Sequence, residues 1–209
     1  APLPDGTVLD GKGRVWNPDG SPRRQIEEMN PIWELTVEPS GKYFVTTYDR
    51  NVTAKVHDPD GRHIGTVKTG PSRSERIEPG ASAAHGDLVA LGHEDGLVTV
   101  VRIDQSRFPA GAANETLPDN KRPRPPVFDT VVAQYKAHLL TVRGLAFSPD
   151  GRYLASCSAD RTVRIRDMQT NGSLNLVALA GGEWYAYDDA GRFECSNGAR
   201  DQVRFVRGL

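Results

Sequence analysis

A short turn motif recurs along the 209-residue chain and restricts its possible folds more than any other feature. The clearest copy is SPDGR at 148–152, which separates two runs of alternating apolar and polar residues. EPSGK at 38–42 and DDAGR at 188–192 repeat it. Proline presets the turn, glycine accepts a positive φ, and the alternation has the period of a half-buried strand. The pattern therefore predicts many short antiparallel strands.

The spacing of a second kind of turn gives the size of the repeat. Asp10, Asn51, Asp95 and Asp160 mark equivalent tight turns that are 41, 44 and 65 residues apart. Subtracting about 25 residues for an insertion at 105–130 restores a period of about 40 residues. Such a unit, made of four short antiparallel strands, is one blade of a β-propeller.

We therefore predict an all-β propeller of about four blade equivalents. The predicted units are 1–30 (partial), 31–68, 72–137 with the insertion at 105–130, 138–180, and 181–209 (partial). The last unit, from Gly182 onward, is expected to supply the opening strands of another blade.

One unit resembles a known repeat family. Residues 138–167 read HLLTVRGLAFSPDGRYLASCSADRTVRIRD. They resemble a WD repeat in the opening His138, the SPDGR turn, the ASCSAD segment and the closing TVRIRD, where the family has a variant of Trp-Asp. The resemblance implies a β-propeller of WD-repeat type.

The resemblance also implies a structural tetrad in each blade, formed by a His, a Ser or Thr, an Asp and a Trp. His138, Ser156 and Asp160 match it, whereas Arg166 stands at the Trp position. The other units match only in part. They supply Asp95 with Val101 at the Trp position, Thr46 with Asn51 and His57 replacing Asp and Trp, and Asp10 with Trp16. Because no unit has the whole tetrad, we expect the blades to depend more on packing than on this network.

About four blades are few for this family, whose rings usually have about seven or eight. A partial ring would leave sheet edges and apolar faces in water. We expect the chain to be part of a longer protein whose other blades complete the ring. The alternatives are a ring closed by two copies related by two-fold symmetry, or a four-bladed ring that closes on itself.

The tail carries a second resemblance. GEWYAY at 182–187 and DAGRFECS at 189–196 resemble a segment of bacterial WD-repeat proteins that also carry a caspase-like peptidase domain. This resemblance implies a peptidase as a partner or as a further domain, with catalysis outside these residues.

Composition excludes several functional classes. The 26 Lys and Arg residues nearly balance 27 Asp and Glu residues, so the basic footprint of a nucleic-acid-binding protein is missing. No apolar run approaches the roughly 18 residues that span a bilayer, so we expect no membrane contact and a cytoplasmic location. Two cysteines cannot form a disulfide scaffold, and Cys157 is expected to be a small buried apolar residue.

The polar residues do not suggest catalysis. His57, His63, His93 and His138 fall at repeat positions or turns, and none has metal-ligand spacing with a Cys or carboxylate pair. No phosphate-binding glycine motif occurs. We therefore predict no catalytic, metal or cofactor site. The predicted function is a protein-interaction scaffold or sensor module, and the alternative is a regulatory propeller of a caspase-like peptidase system.

Two features are candidates for partner binding. Aligning the units places Trp33, Arg73 and Arg143 at one equivalent position, on the face where the first strands enter. Large aromatic and arginine side chains are typical anchors of protein interfaces. The insertion contains KRPRPP at 121–126. It is interpreted either as a long loop between the third and fourth strands of its blade or as a docking segment.

Overall fold

The computed structural model describes residues 5–10, 13–25, 32–48, 53–69, 79–109 and 124–203. In this part of the chain the regular structure consists of β-strands and three short 3-10 helices, Gln105–Arg107, Ala180–Gly182 and Asn197–Asp201. The strands form four separate sheets, numbered I to IV along the chain. The prediction of an all-β fold is therefore confirmed.

Sheets I and II come from the first third of the chain. Sheet I has the order β1-β2-β3, with β1 at Val8–Leu9, β2 at Arg14–Trp16 and β3 at Pro22–Gln25. Sheet II contains β4 at Ile32–Val37, β5 at Phe44–Tyr48, β6 at Thr53–His57 and β7 at His63–Lys68. Consecutive strands pair antiparallel in both sheets.

The insertion interrupts sheet III in the sequence. It contains β8 at Pro79–His85, β9 at Leu88–His93 and β10 at Leu97–Arg102. A two-residue strand, β11 at Val127–Phe128, then pairs parallel with β7 of sheet II as a fifth strand. The chain returns to sheet III as β12, Thr130–Lys136, which pairs with β10. The insertion thus leaves at the third strand and returns at the fourth.

Sheet IV has six consecutive antiparallel strands. They are β13 at Val142–Phe147, β14 at Tyr153–Ser158, β15 at Thr162–Asp167, β16 at Ser173–Ala178, β17 at Trp184–Asp188 and β18 at Phe193–Cys195. The sequence predicts that the tail opens another blade. In the described residues β17 instead pairs with β16, and β18 with β17, so the tail widens sheet IV. The short connection from β16 to β17 accounts for this difference, because the Leu179 N–H donates to the Glu183 carbonyl at 2.8 Å and returns the chain beside β16.

The turn between β17 and β18 also differs from the SPDGR turn that it resembles in sequence. Asp188 N–H donates to the Arg192 carbonyl at 3.0 Å, and the Asp188 carboxylate accepts the Arg192 N–H at 2.9 Å. At the first turn of sheet IV, Ser148 N–H instead reaches the Tyr153 carbonyl, one residue further along. The Asp188 turn therefore closes a tight hairpin of the kind seen at Asp58–Arg62, between β6 and β7 of sheet II.

The first strands of sheets II, III and IV lie next to one another, because β8 contacts both β4 and β13. Apolar cores fill the spaces between neighbouring sheets. Leu9, Val15 and Phe44 pack between sheets I and II. Larger clusters around Leu91 and Leu154 fill the next two interfaces. Sheets that fan out from adjacent first strands, with a core between each pair, are consistent with propeller blades.

Candidate functional site

His138 lies at the centre of a buried polar network at the entrance to sheet IV. Its Nε2 lies 2.8 Å from the Ser156 hydroxyl, and its Nδ1 lies 2.7 Å from the Thr162 hydroxyl and 3.5 Å from an Asp160 carboxylate oxygen. The Thr162 hydroxyl donates to Asp160 at 2.6 Å. A neutral imidazole satisfies this chain by accepting at Nε2 and donating from Nδ1. The structure thus brings His138, Ser156 and Asp160 together, and it adds Thr162, which the sequence analysis missed.

The protonation of this network follows from its burial. Burial lowers the pKa of His138, although the Asp160 carboxylate acts in the opposite direction. Burial would raise the pKa of Asp160, but hydrogen bonds from Thr162 and from the Leu139 N–H outweigh it and leave that pKa below its ordinary value. A neutral histidine held by an ionised aspartate suits a structural hydrogen-bond network.

Arg166, which stands where the repeat family has Trp, takes over part of the packing role of an aromatic ring. Its guanidinium lies 4.2 Å from the centre of the Tyr135 ring on β12 of sheet III, and it donates to the Asn171 side chain at 2.9 Å. Burial raises the pKa of Tyr135, although Arg166 and Arg164 act to lower it. A cation on an aromatic face therefore links sheets III and IV.

Sheet II contains a different version of the network. His57, at the Trp position, places its Nε2 2.9 Å from the Thr46 hydroxyl, and its ring stacks on Phe44 at 5.0 Å. Burial, with a smaller effect of the neighbouring His63, lowers the pKa of His57 to about 3. The imidazole is therefore neutral and replaces an indole as the partner of Thr46. Asn51 lies outside the described residues.

Sheet III has its polar pair at another register. His93 Nε2 lies 3.1 Å from the Thr99 hydroxyl, across the β9–β10 hairpin. Both residues are buried, and burial lowers the pKa of His93 to about 4. By strand register, Leu91 and Val101 of sheet III hold the positions that Thr46 and His57 hold in sheet II. His93 and Thr99 each lie two residues nearer the tight turn than those positions. Asp95, in that turn, accepts a hydrogen bond from the Leu97 N–H at 3.0 Å.

In sheet I the two predicted tetrad residues bind each other directly. The Trp16 indole N–H donates to the Asp10 carboxylate at 3.2 Å, and the Arg14 N–H donates to the same carboxylate at 3.0 Å. Asp95 and Asp160 bind the backbone two residues ahead, whereas Asp10 binds four residues ahead. Asp10 therefore adopts the geometry of the Asp58 turn.

The partner-binding candidates coincide with β-bulges at the start of the inner strands. Register shifts occur between Ile32 and Glu34 on β4 and between Val142 and Gly144 on β13, so Trp33 and Arg143 hold equivalent positions. On β8 the corresponding shift surrounds Gly80. The sequence predicts Arg73 at this position, but Arg73 lies outside the described residues. Bulges re-aim side chains, and Arg143 is exposed.

Two leucines beside this network were missed by the sequence analysis. Leu139 is 82% exposed and Leu140 is 53% exposed. Their backbone is held in place, because the Leu139 N–H donates to Asp160 at 2.8 Å and the Leu140 carbonyl accepts the Ser158 hydroxyl at 3.1 Å. The sequence HLLT at 138–141 contains the information that would have identified them. Two adjacent leucines in a polar turn become buried only when a partner covers them.

One broad face of sheet IV is also uncovered. Alternation along the strands places apolar residues on the side away from sheet III, among them Tyr153, Val163 and Leu174, each between 37% and 39% exposed. Cys157 lies on this face and is exposed, so the prediction that it is buried is wrong. Cys157 lies on the apolar side of the alternation, as predicted, but among the described residues no further sheet covers that side of the strand.

Residues 129–167 match the WD40 family model, described as WD domain, G-beta repeat. The matched range contains β12, the His138 network and the first three strands of sheet IV. The repeat and the all-β architecture are together consistent with a WD40 β-propeller. Within the ranges given above, no three His, Cys, Asp or Glu residues form a metal-binding group, and no helix is long and apolar enough to span a bilayer.

Proposed function

We propose that this chain is a non-catalytic protein-interaction scaffold or sensor module of WD-repeat type that belongs to a larger effector. The WD40 repeat at 129–167 supports a protein-interaction role in general terms. The histidines of sheets II, III and IV support it further, because each is bonded to a hydroxyl inside its own sheet or network. These imidazoles serve the sheets as internal hydrogen-bond partners.

The observation that carries this proposal is the exposed leucine pair on a rigid entrance loop. Leu139 and Leu140 are held by hydrogen bonds to Asp160 and Ser158, while their side chains point to solvent. Interface anchors are typically large side chains on a fixed backbone, because binding then costs little conformational entropy. Arg143 is exposed on the strand that follows the loop and adds a donor for a polar rim.

The test compares the proteins retained by the wild-type chain and by variants, identified by mass spectrometry. Leu139→Asp with Leu140→Asp, and separately Arg143→Ala and Trp33→Ala, should lose a defined set of partners while keeping the melting temperature. Val131→Asp is the matched control, because Val131 is 41% exposed on another sheet. An identical set of partners for the wild type and the Leu139/Leu140 variant would refute the entrance loop as the binding site.

A second candidate function is regulation of a caspase-like peptidase that lies in another domain or chain. The tail resemblance motivates it, and the hairpin built by that segment is firmly attached. Asp189 accepts the Ser173 N–H at 2.7 Å and lies 3.6 Å from Arg164. A hairpin fixed in this way could present a stable surface to an adjoining domain.

This candidate predicts a peptidase domain with a His–Cys pair in the extended reading frame or in an adjacent gene, and direct binding of that domain to the chain. The binding should weaken in Asp189→Ala, which frees the hairpin turn, and should persist in Val131→Asp. A reading frame and neighbouring genes without such a domain would count against it.

A further inference from the structure

Two arginines and a tyrosine form a polar cluster between sheets III and IV, here named the arginine cluster. It consists of Tyr135 on β12 and of Arg164 and Arg166 on β15. The guanidinium carbons of Arg166 and Arg164 lie 4.2 and 6.0 Å from the centre of the Tyr135 ring. Because alternate residues of a strand share one face, both arginines project from the same side of sheet IV and meet the tyrosine there.

Each member of the arginine cluster has a buried polar group that lacks a partner. The Tyr135 hydroxyl, Arg164 Nε and Arg166 Nε are buried, and none of them has a hydrogen-bond partner among the described residues. The outer nitrogens are used instead, since Arg164 donates to the Ser173 hydroxyl at 2.7 Å and Arg166 to the Asn171 side chain at 2.9 Å. Buried donors are normally paired, so three unpaired donors in one cluster indicate a ligand that accepts hydrogen bonds.

The charges of the arginine cluster favour an anion. Both guanidiniums are permanently ionised, and the carboxylate beside them is that of Asp189, 3.6 Å from Arg164. Asp189 already accepts the N–H and the hydroxyl of Ser173, each at 2.7 Å. The Asp189 side chain is 51% exposed and that of Arg164 is 21% exposed, so this edge of the cluster is open to solvent. A small anion can therefore approach the arginines from the surface.

We propose that the arginine cluster binds a phosphate group, either free phosphate or the phosphate of a phosphorylated side chain. Such a group carries a charge of about −1.5 to −2 at pH 7 and three strong acceptor oxygens, which match two guanidiniums and three unpaired donors. A carboxylate has only two oxygens and a single charge, so it fits less well. The entrance loop with Leu139 and Leu140 lies at the other end of β15, so this site is separate from the proposed protein-binding loop.

The first experiment titrates the full chain with N-acetyl-phosphoserine amide in a calorimeter at constant ionic strength. We expect saturable binding that weakens about tenfold in Tyr135→Phe, which removes one donor to a charged group but keeps the ring. Arg164→Gln with Arg166→Gln should abolish the binding. Arg152→Gln is the matched control, because it also removes a cation from sheet IV, but one that already pairs with Asp167 at 2.9 Å. N-acetyl-serine amide should not bind.

The second experiment repeats the titration with inorganic phosphate and with Asp189→Asn. This variant should bind either probe more tightly, because the competing charge is lost while an oxygen remains to accept from Ser173. Tighter binding of the phosphoserine probe than of inorganic phosphate would assign the site to a phosphorylated side chain, and the reverse order would assign it to free phosphate. The proposal is overturned if neither probe binds saturably, if Tyr135→Phe binds as tightly as the wild type, if Arg152→Gln weakens binding as much as the cluster variants, or if Asp189→Asn weakens it.

Discussion

At the scale of single residues, sheets II, III and IV each bury one histidine against a hydroxyl, although the histidine comes from three different positions of the repeat. His57 lies on the third strand, His93 on the second, and His138 before the first. Each partner hydroxyl, on Thr46, Thr99 or Ser156, lies 2.8 to 3.1 Å from the ring. The three sheets thus share one imidazole–hydroxyl bond between buried residues.

This arrangement makes stability depend on pH. The folded-state pKa values of His57 and His93 are about 3 and about 4, whereas an unfolded histidine titrates near its ordinary value of about 6.5. Below about pH 6.5 the unfolded chain therefore takes up protons that the folded chain refuses. Stability should be fully present above pH 6.5 and should fall towards pH 4, by about 1.4 kcal/mol per pH unit for each such histidine.

His57→Gln should make the free energy of unfolding fall less steeply with decreasing pH, by the contribution of one histidine. Glutamine keeps a hydrogen-bond partner for Thr46 but does not titrate. The measurement is the free energy of urea unfolding at half-unit steps from pH 7 to pH 4. Thr46→Val is the matched control, since it removes the hydrogen bond but leaves the histidine, and it should lower stability equally at every pH. An unchanged slope in His57→Gln would show that His57 already protonates in the folded state.

The sequence could predict some of these residues but not others. The resemblance of 138–167 to a WD repeat implies the group His138, Ser156 and Asp160, which the structure brings together. The pairing of His93 with Thr99 depends on the register of the β9–β10 hairpin, which spacing alone does not define. A shift of two residues keeps the polar pair on the same face of the sheet, so the alternation of apolar and polar residues does not reveal the shift.

At the scale of elements, the ends of the insertion tie sheets II and III together. Phe108 packs edge-on against both Tyr43 and Phe128, at ring distances of 6.1 and 5.9 Å. Phe128, on β11, is buried in the core between these sheets. A Cβ atom on Gly65 would lie 2.5 Å from the Phe128 ring, so this glycine provides the space for the ring.

Gly65→Ala should therefore destabilise the chain by about 1–3 kcal/mol, the usual cost of overpacking a core. Adding Phe128→Leu should recover part of that loss, because the smaller side chain makes room for the new methyl group. The measurement is a double-mutant cycle of chemical unfolding, in which the two changes should couple favourably. Gly172→Ala is the control, since its Cβ would meet only the Thr170 hydroxyl, at 3.4 Å. Additive effects of the two substitutions would contradict the contact.

The elements show where sequence reasoning reaches its limit. The strands of sheet IV up to β16 follow the alternation and the turn motif, so their approximate positions could be predicted. The two-residue strand β11 could not, because its pairing with β7 is parallel and long-range. The sequence places the tail hairpin in another blade because its DDAGR turn resembles SPDGR, although the two turns close at different residues.

At the scale of the whole molecule, apolar clusters fill three interfaces between the four sheets that the structure describes, and a broad face of sheet IV is left open. The filled interfaces hold the apolar clusters of sheets I to IV. The open face of sheet IV instead presents Tyr153, Val163 and Leu174 to water. An apolar sheet face of this kind is stable when another sheet covers it, either further blades or a second copy.

Replacing Val163 and Leu174 by glutamate should therefore reduce the binding of anilinonaphthalene sulfonate by about half, because this dye reports exposed apolar surface. Val131→Glu with Val132→Glu is the matched control, since these residues are 41% and 44% exposed on β12. Equal dye binding in the two double variants would show that the face is not the main exposed apolar surface. If a second copy covers the face, the Val163/Leu174 variant should also lose dimers that the Val131/Val132 variant retains. If further blades cover it, a longer chain containing those blades should bind little dye, and the same two glutamates should then unfold it.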